Sequence, residues 1–185
     1  MKHKSSILSA AILAVFLAVL FAKAAATAAT TSTTVDVNAP MKEAKQASYV
    51  LREGADKLHS VARSGGLSWQ SHSWHLNSVR ENVNQLGEML TNLESLKAHA
   101  TEAQQMVIEA MRPRLVETAT ALTNAIQLLN ERRHNIYFDE YRNAVRTINE
   151  RAYSLHQSFD AVGDYEAAKA RLDRLQLLRS VEAGS

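Results

Sequence analysis

The sequence predicts an all-α fold, an antiparallel four-helix up-down bundle with a short additional C-terminal helix, preceded by a signal peptide. Three observations carry this. Apolar residues recur at alternating spacings of three and four over two long stretches. Proline and glycine are scarce once Pro40 is passed, with Pro113 the one further proline. The N-terminus reads as an export segment.

That segment comes first. Lys2, His3 and Lys4 give it a positive start, and Ile7 to Ala22 runs for sixteen residues with only Ser9 as a polar interruption. Small residues follow at Ala24-Ala25-Ala26-Thr27-Ala28-Ala29. Charge, apolar run and A-x-A ending are the three parts of a secretory signal. Residues 1–26 are assigned to it, with cleavage anywhere from 24 to 28. A membrane-spanning helix needs about 20 apolar residues, more than this run offers before Lys23. The membrane is therefore a partner only if the segment stays uncut. Residues 27–39 are Thr-rich, lack a helical period, and read as a flexible leader.

The bundle domain is expected over 40–180, with a tail at 181–185. Helix one, about 40–63, starts at Pro40, which is tolerated in a first turn. Its stripe is narrow: Ala44, Ala47, Leu51, Gly54, Leu58 and Val61. Ser64-Gly65-Gly66 stops it. Helix two, about 68–99, carries Trp69, His72, Leu76, Val79, Val83, Leu86, Leu90 and Leu93 at heptad spacing. Thr101 and Gln104 form a capping-box pattern. Helix three, about 102–134, presents Val107, Met111, Leu115, Leu122, Ile126 and Leu129. Pro113 lies inside it and predicts a kink or a break into two helices. Helix four, about 137–162, carries Phe138, Tyr141, Val145, Ile148, Ala152, Leu155, Phe159 and Val162 in the same alternation. Gly163-Asp164 reads as a stop and a new N-cap. Tyr165, Ala168, Leu172 and Leu175 then form a stripe out of phase with the last one, and predict a fifth helix over about 165–179. Gly163 to Ala168 resembles tetratricopeptide phrasing, but no second copy follows at that period.

Charge and cysteine usage narrow the function classes. Of 21 basic residues, Lys2, Lys4 and Lys23 fall within 1–26, where there is no acid. Removing them leaves 18 basic and 19 acidic side chains, so the net charge passes from +2 to −1. No positive excess remains to follow a phosphate backbone, which argues against nucleic acid. With no cysteine, lipidation, disulfides, thiolate metal sites and cysteine nucleophiles are excluded. The remaining residues, about 160, suffice for one domain with its own core.

Candidate sites follow from the topology. An up-down fold gathers His59, His72, His75 and His134 at one end, with Trp69, Trp74, Tyr137, Phe138 and Tyr141. Asp56-x-x-His59 and Glu131-x-x-His134 have the acid–histidine spacing of di-iron bundles. Arg132 and Arg133 beside the second pair disfavour a cation. A mononuclear site from His72 with His59 or His75 is the simpler metal reading; against it, His72 extends the seam as an end-of-core residue. Trp69, Phe138 and Tyr141 are in seam register and read as core. Trp74 is off the seam, and with Trp69 and Tyr137 it is the candidate interaction surface.

In helix number and compartment the chain resembles b-type cytochrome bundles. There, a methionine early in the first helix and a histidine late in the last ligate haem. That resemblance implies Met41 and His156 as the alternative haem b ligands, although Met41 lies outside the first stripe and His156 flanks the fourth. Leu122-Thr123-Asn124-Ala125-Ile126-Gln127 misses by one residue the Leu-Thr-x-x-Gln motif of exported helical chaperones. No Gly-rich phosphate loop, G-x-S-x-G or H-E-x-x-H is present. In layout the whole chain resembles small exported bacterial helical-bundle proteins. That resemblance implies no chemistry and transfers no site residues. The reading is a periplasmic or secreted bundle, without catalysis or cofactor, that acts on a protein partner, self-associates or has an envelope-structural role. The alternative is a haem- or metal-binding bundle with histidine ligands.

Overall fold

The computed structural model describes residues 36–64, 68–133 and 138–183, with side chains to Arg179. Within these the chain is a helical bundle: α1 (Asn38–Arg63), α2 (Trp69–Leu96), α3 (Glu102–Glu131) and α4 (Asp139–Ala183), with a single 3₁₀ turn, Lys97–His99, between α2 and α3. The expected export segment and leader up to Val35 lie outside the described residues.

Local chemistry sets the helix starts. The Asn38 N–H donates to the Asp36 carboxylate at 2.9 Å, so α1 begins two residues before Pro40. Pro40 then sits in the first turn, where its missing N–H removes no intrahelical bond. Ser68 caps α2 by accepting from the Ser71 N–H. Thr101 and Gln104 form a complete capping box: the Gln104 N–H donates to Thr101 Oγ1 at 3.2 Å and the Thr101 N–H to Gln104 Oε1 at 3.0 Å. Asp139 and Glu140 place negative charge in the first turn of α4, where the helix dipole favours it.

The third helix runs whole through Pro113, from Glu102 to Glu131, so the alternative of a break into two helices does not hold. One expectation is corrected: the fifth helix does not exist as a separate element, because α4 continues across Gly163-Asp164 for 45 residues. A glycine ends a helix only where the chain takes up its left-handed freedom. Here nothing lies within 4 Å of where a Gly163 Cβ would stand, so no neighbour forces a turn. The sequence that follows, Tyr165-Glu166-Ala167-Ala168-Lys169, is built mostly of good helix formers. At 1.5 Å per residue α4 is about 67 Å long, against about 39–45 Å for the other three.

The core lies among all four helices. α1 packs on α2 and α4, and α3 packs on α2 and α4. The α2 seam is buried from His72 through Leu76, Val79, Val83, Leu86, Leu90 and Leu93. On α4, Tyr141, Val145, Ile148, Ala152, Leu155 and Phe159 face inward. Each such aliphatic side chain stabilises the fold by about 1.5–3 kcal/mol relative to exposure. The α1 stripe differs from expectation at its lower end: Ala55 and Ala62 are buried, while Gly54 and Val61 sit at the margin. A period of 3.6 drifts off a strict three-four alternation, which moves the inward position by one residue. Gly54 keeps a packing role, since a Cβ there would come within 3.3 Å of Asn82 Nδ2.

Ion pairs link the helices at the surface. Lys97 meets Glu109 at 2.6 Å, Arg151 meets Glu117 at 2.7 Å, and Lys45 meets Asp160 at 2.8 Å. Arg112 grips Glu94 through two nitrogens. Exposed pairs of this kind contribute about 0–1 kcal/mol each, so the apolar seams hold the bundle and the pairs set its register.

Candidate functional site

Two buried polar pairs interrupt the apolar core. The first joins α2 to α4. His72, fully buried in the α2 seam, places Nδ1 3.0 Å from the Tyr141 hydroxyl, and the rings lie 5.5 Å apart at a tilt. Burial raises the Tyr141 phenol far above its ordinary range. Burial lowers His72, and nearby His75 lowers it further. Both groups are therefore neutral at pH 7, and a neutral hydrogen bond satisfies them where a charge would be costly.

Around this pair the structure gathers part of the expected aromatic end. Phe138 lies 6.1 Å from Tyr141, and Arg132 stacks over Phe138 at 4.5 Å. Trp69 is half-buried instead of core, with the Arg133 guanidinium 4.7 Å from its ring. At the mouth of a bundle a ring has neighbours on one side only, so a long cation covers the other. Trp74 is 67% exposed and meets His75 edge-on. His75 is lowered by partial burial and by Lys57. His134 and Tyr137 lie outside the described residues. Among the described residues no group of three or more His, Asp or Glu side chains could hold a metal ion. Of the histidines proposed as ligands, His72 spends Nδ1 on Tyr141.

The second pair joins α1 to α4. Ser48, fully buried, puts Oγ 3.0 Å from His156 Nδ1. On the other side of the ring, His156 Nε2 is 3.6 Å from Asp160 Oδ2, and Lys45 holds Asp160 at 2.8 Å. Asp160 is lowered by this lysine hydrogen bond. His156 is lowered by burial, an effect opposed by Asp160 and reinforced by Arg52 and Lys45. Tyr49 stands edge-on to the His156 ring at 5.7 Å, with Arg52 over its own face at 4.7 Å.

Serine, histidine and aspartate in one line suggest a hydrolytic triad, but the proton positions argue against it. Ser48 Oγ lies 2.6 Å from the Lys45 carbonyl, which can only accept, so the hydroxyl proton points there. The imidazole Nδ1–H must then donate to Ser48. A nucleophile needs the reverse, with histidine accepting from serine. The serine is also sealed from solvent. What the arrangement does is satisfy two polar groups inside the α1–α4 contact.

The haem alternative meets the same geometry. Met41 and His156 are both buried, at 8% and 7% exposure, where the sequence placed them outside and beside the stripes. The α4 face is wide enough here to bury Leu155 and His156 together. Both ring nitrogens of His156 face protein groups, so ligating an iron would require losing Ser48 or Asp160. An open groove of about 440 Å³ runs past this pair, lined by Arg52, Tyr153, His156, Gln157 and Asp160. Its mixed charges select no ligand class. Sequence reasoning missed Ser48; the signal was a polar residue four positions after Ala44 and three before Leu51, on the buried face of α1.

A run of exposed apolar residues lies elsewhere. From Gly163 to Arg179 every residue of α4 is exposed. Tyr165, Leu172, Leu175 and Leu178 are 50–56% exposed. The start of this stretch meets the rest of the domain: Thr101 Oγ1 bonds Glu166 Oε1 at 3.1 Å, and a groove between them is lined by Thr101, Ala103, Tyr165, Lys169 and Asp173. No described helix is long and apolar enough to cross a membrane. Comparison with known protein families, curated proteins and solved structures finds no match to this chain.

Proposed function

We propose that this is an exported helical-bundle protein that acts by protein–protein contact, with the projecting half of α4 as its contact surface and no chemistry of its own. The observation that carries the reading is the seventeen-residue exposed stretch of helix with its apolar residues. Helices of that length are marginal alone in water, and most helical stability comes from packing an amphipathic face. Contiguous exposed apolar surface marks interaction sites. The buried pairs fit the same reading, since Ser48 Oγ meets His156 Nδ1 and His72 Nδ1 meets the Tyr141 hydroxyl inside the helix contacts. Export rests on the N-terminal charge and apolar run.

The bundle is read as antiparallel and up-down. Its support is the order of the contacts. Glu94 meets Arg112 while Lys97 meets Glu109. Arg114 meets Ser154 while Glu117 meets Arg151. Lys45 meets Asp160 while Ser48 meets His156. In each set one number rises as the other falls. This frame leaves the α4 extension standing clear at one end.

A photo-crosslinking residue placed at Leu172 in cells, with Asn143 as the control position, tests the reading. Protein adducts from position 172 and not from 143 are expected. An absence of adducts from Leu172, with substrate turnover by the purified chain, would overturn it.

A further inference from the structure

We propose that the partner of the projecting α4 half is a second copy of this chain, with the two extensions running parallel; this rests on the reading that the extension is a contact surface. Three observations converge on it.

The first is direction. Tyr141, Val145, Ile148, Ala152, Leu155 and Phe159 mark the side of α4 that faces its own bundle. At about 100° per residue, Tyr165, Ala168, Leu172 and Leu175 centre roughly 160° away from that side. The stripe thus points away from the chain's own core, and only Tyr165 at its start borders the rest of the bundle, beside Thr101 and Ala103. Two bundles could lie on the outer sides of a central α4 pair without colliding.

The second is charge. With Tyr165, Leu172 and Arg179 at the a positions and Ala168 and Leu175 at d, the g positions are Asp164, Arg171 and Leu178 and the e positions are Lys169 and Gln176. A parallel pair sets g against the following e of the other chain. Asp164 then faces Lys169 of the second copy, and Arg171 faces Gln176. An antiparallel pair layering Tyr165 on Leu175 instead sets Lys169 against its own copy and Arg171 against its own copy, two like-charge contacts. The parallel arrangement makes one like-charge contact, Arg179 at the last a position, beside its Asp164–Lys169 pairs, and is the more complementary of the two.

The third is extent. Farther back on the same outward side α4 carries Asn143, Arg146, Glu150 and Gln157, all exposed and polar. The contact therefore ends where the bundle begins. About two heptads fall short of the three to four that give a stable coiled coil, and seventeen residues a side fall short of the roughly 20–30 of a standard interface. The dimer is accordingly reversible and concentration-dependent.

Sedimentation velocity on the purified chain across a concentration series tests this. A monomer–dimer equilibrium is expected. Leu172→Asp and Leu175→Asp each raise the dissociation constant by roughly tenfold or more, because each replaces a seam leucine with a charge. Asp164→Lys weakens the dimer, and adding Lys169→Asp restores it. Since the chain has no cysteine, Ala168→Cys gives a single thiol, which parallel pairing brings against its own copy and oxidation locks as a covalent dimer. All five positions are solvent-facing, so the bundle folds in every variant. A chain that stays monomeric at every concentration, or a dimer indifferent to the leucine variants, overturns the proposal. A dimer that Ala168→Cys fails to lock overturns its parallel sense. A crosslink from Leu172 to a different protein, with the chain monomeric, overturns self-association and leaves the contact-surface reading standing.

Discussion

The two halves of α4 use similar spacing to opposite ends. In residues 139–162 the three-four alternation is buried against α1 and α3; in residues 163–179 a comparable alternation stands in solvent. The backbone does not change between them, since one helix spans both. Leu155 is fully buried and Leu172 is 55% exposed. Periodicity specifies that a face exists, whereas burial requires a neighbour long enough to meet it. The difference comes from the other helices, which are 26 to 30 residues long and end where α4 is about half done.

Substitutions of the same kind in the two halves should separate them most sharply. Leu155→Ala leaves a cavity in the core and is expected to lower unfolding stability by about 2–5 kcal/mol. Leu172→Ala, measured by denaturant titration of the dilute monomer, is expected within about 0.5 kcal/mol of the parent. Equal losses would mean that the extension belongs to the core.

The next effect is polar. Tyr141→Phe removes the hydroxyl facing His72 in the buried half and is expected to cost about 1–3 kcal/mol. Tyr165→Phe, at an exposed position, should change stability little. Thermal melts of the pair provide the comparison.

The pH response sharpens the same contrast. Burial holds the folded His72 and His156 below the ordinary histidine value of 6.5. Below pH 6.5 the unfolded chain therefore binds protons that the folded chain refuses, and stability falls as pH drops through that value toward the lowered ones. Above it their contribution is full. A urea midpoint that decreases from pH 7 to pH 5, with a smaller decrease in His72→Gln, is the expected result. A flat midpoint would mean that neither histidine is buried neutral.

The smallest effect lies at the junction. Gly163→Ala meets no neighbour and replaces a flexible residue in a continuous helix. It should stabilise the chain by roughly 0.5–1 kcal/mol, read as slower amide exchange around 160–166. Faster exchange there would favour a turn at Gly163.

These contrasts also show what the sequence could reveal. The inward face of α2 is legible because an unbroken run of large apolar residues outweighs everything else on that helix, and the Thr101 capping box is legible because its two bonds are local. The continuity of α4 is not legible: glycine followed by aspartate satisfies a stop signal, and only the absence of any neighbour at Gly163 leaves the helix free to continue. Pro113 leaves a kink and a break both open on sequence, and the surrounding packing keeps α3 whole despite one missing donor. The link from Ser48 to His156 spans 108 positions, and no spacing rule connects residues on different helices. His156 itself looked peripheral because a three-four template marks one residue per turn, while the α4 face buries two at 155 and 156.

The central claim is that one helix carries both a core face and a face made for another copy. Hydrogen exchange resolved along α4, in dilute and in concentrated protein, tests it most directly. Residues 139–159 should be protected at both concentrations, whereas 163–179 should exchange rapidly when dilute and gain protection when concentrated. Protection of 163–179 equal to that of 139–159 in dilute protein, or rapid exchange there at every concentration, would contradict the account.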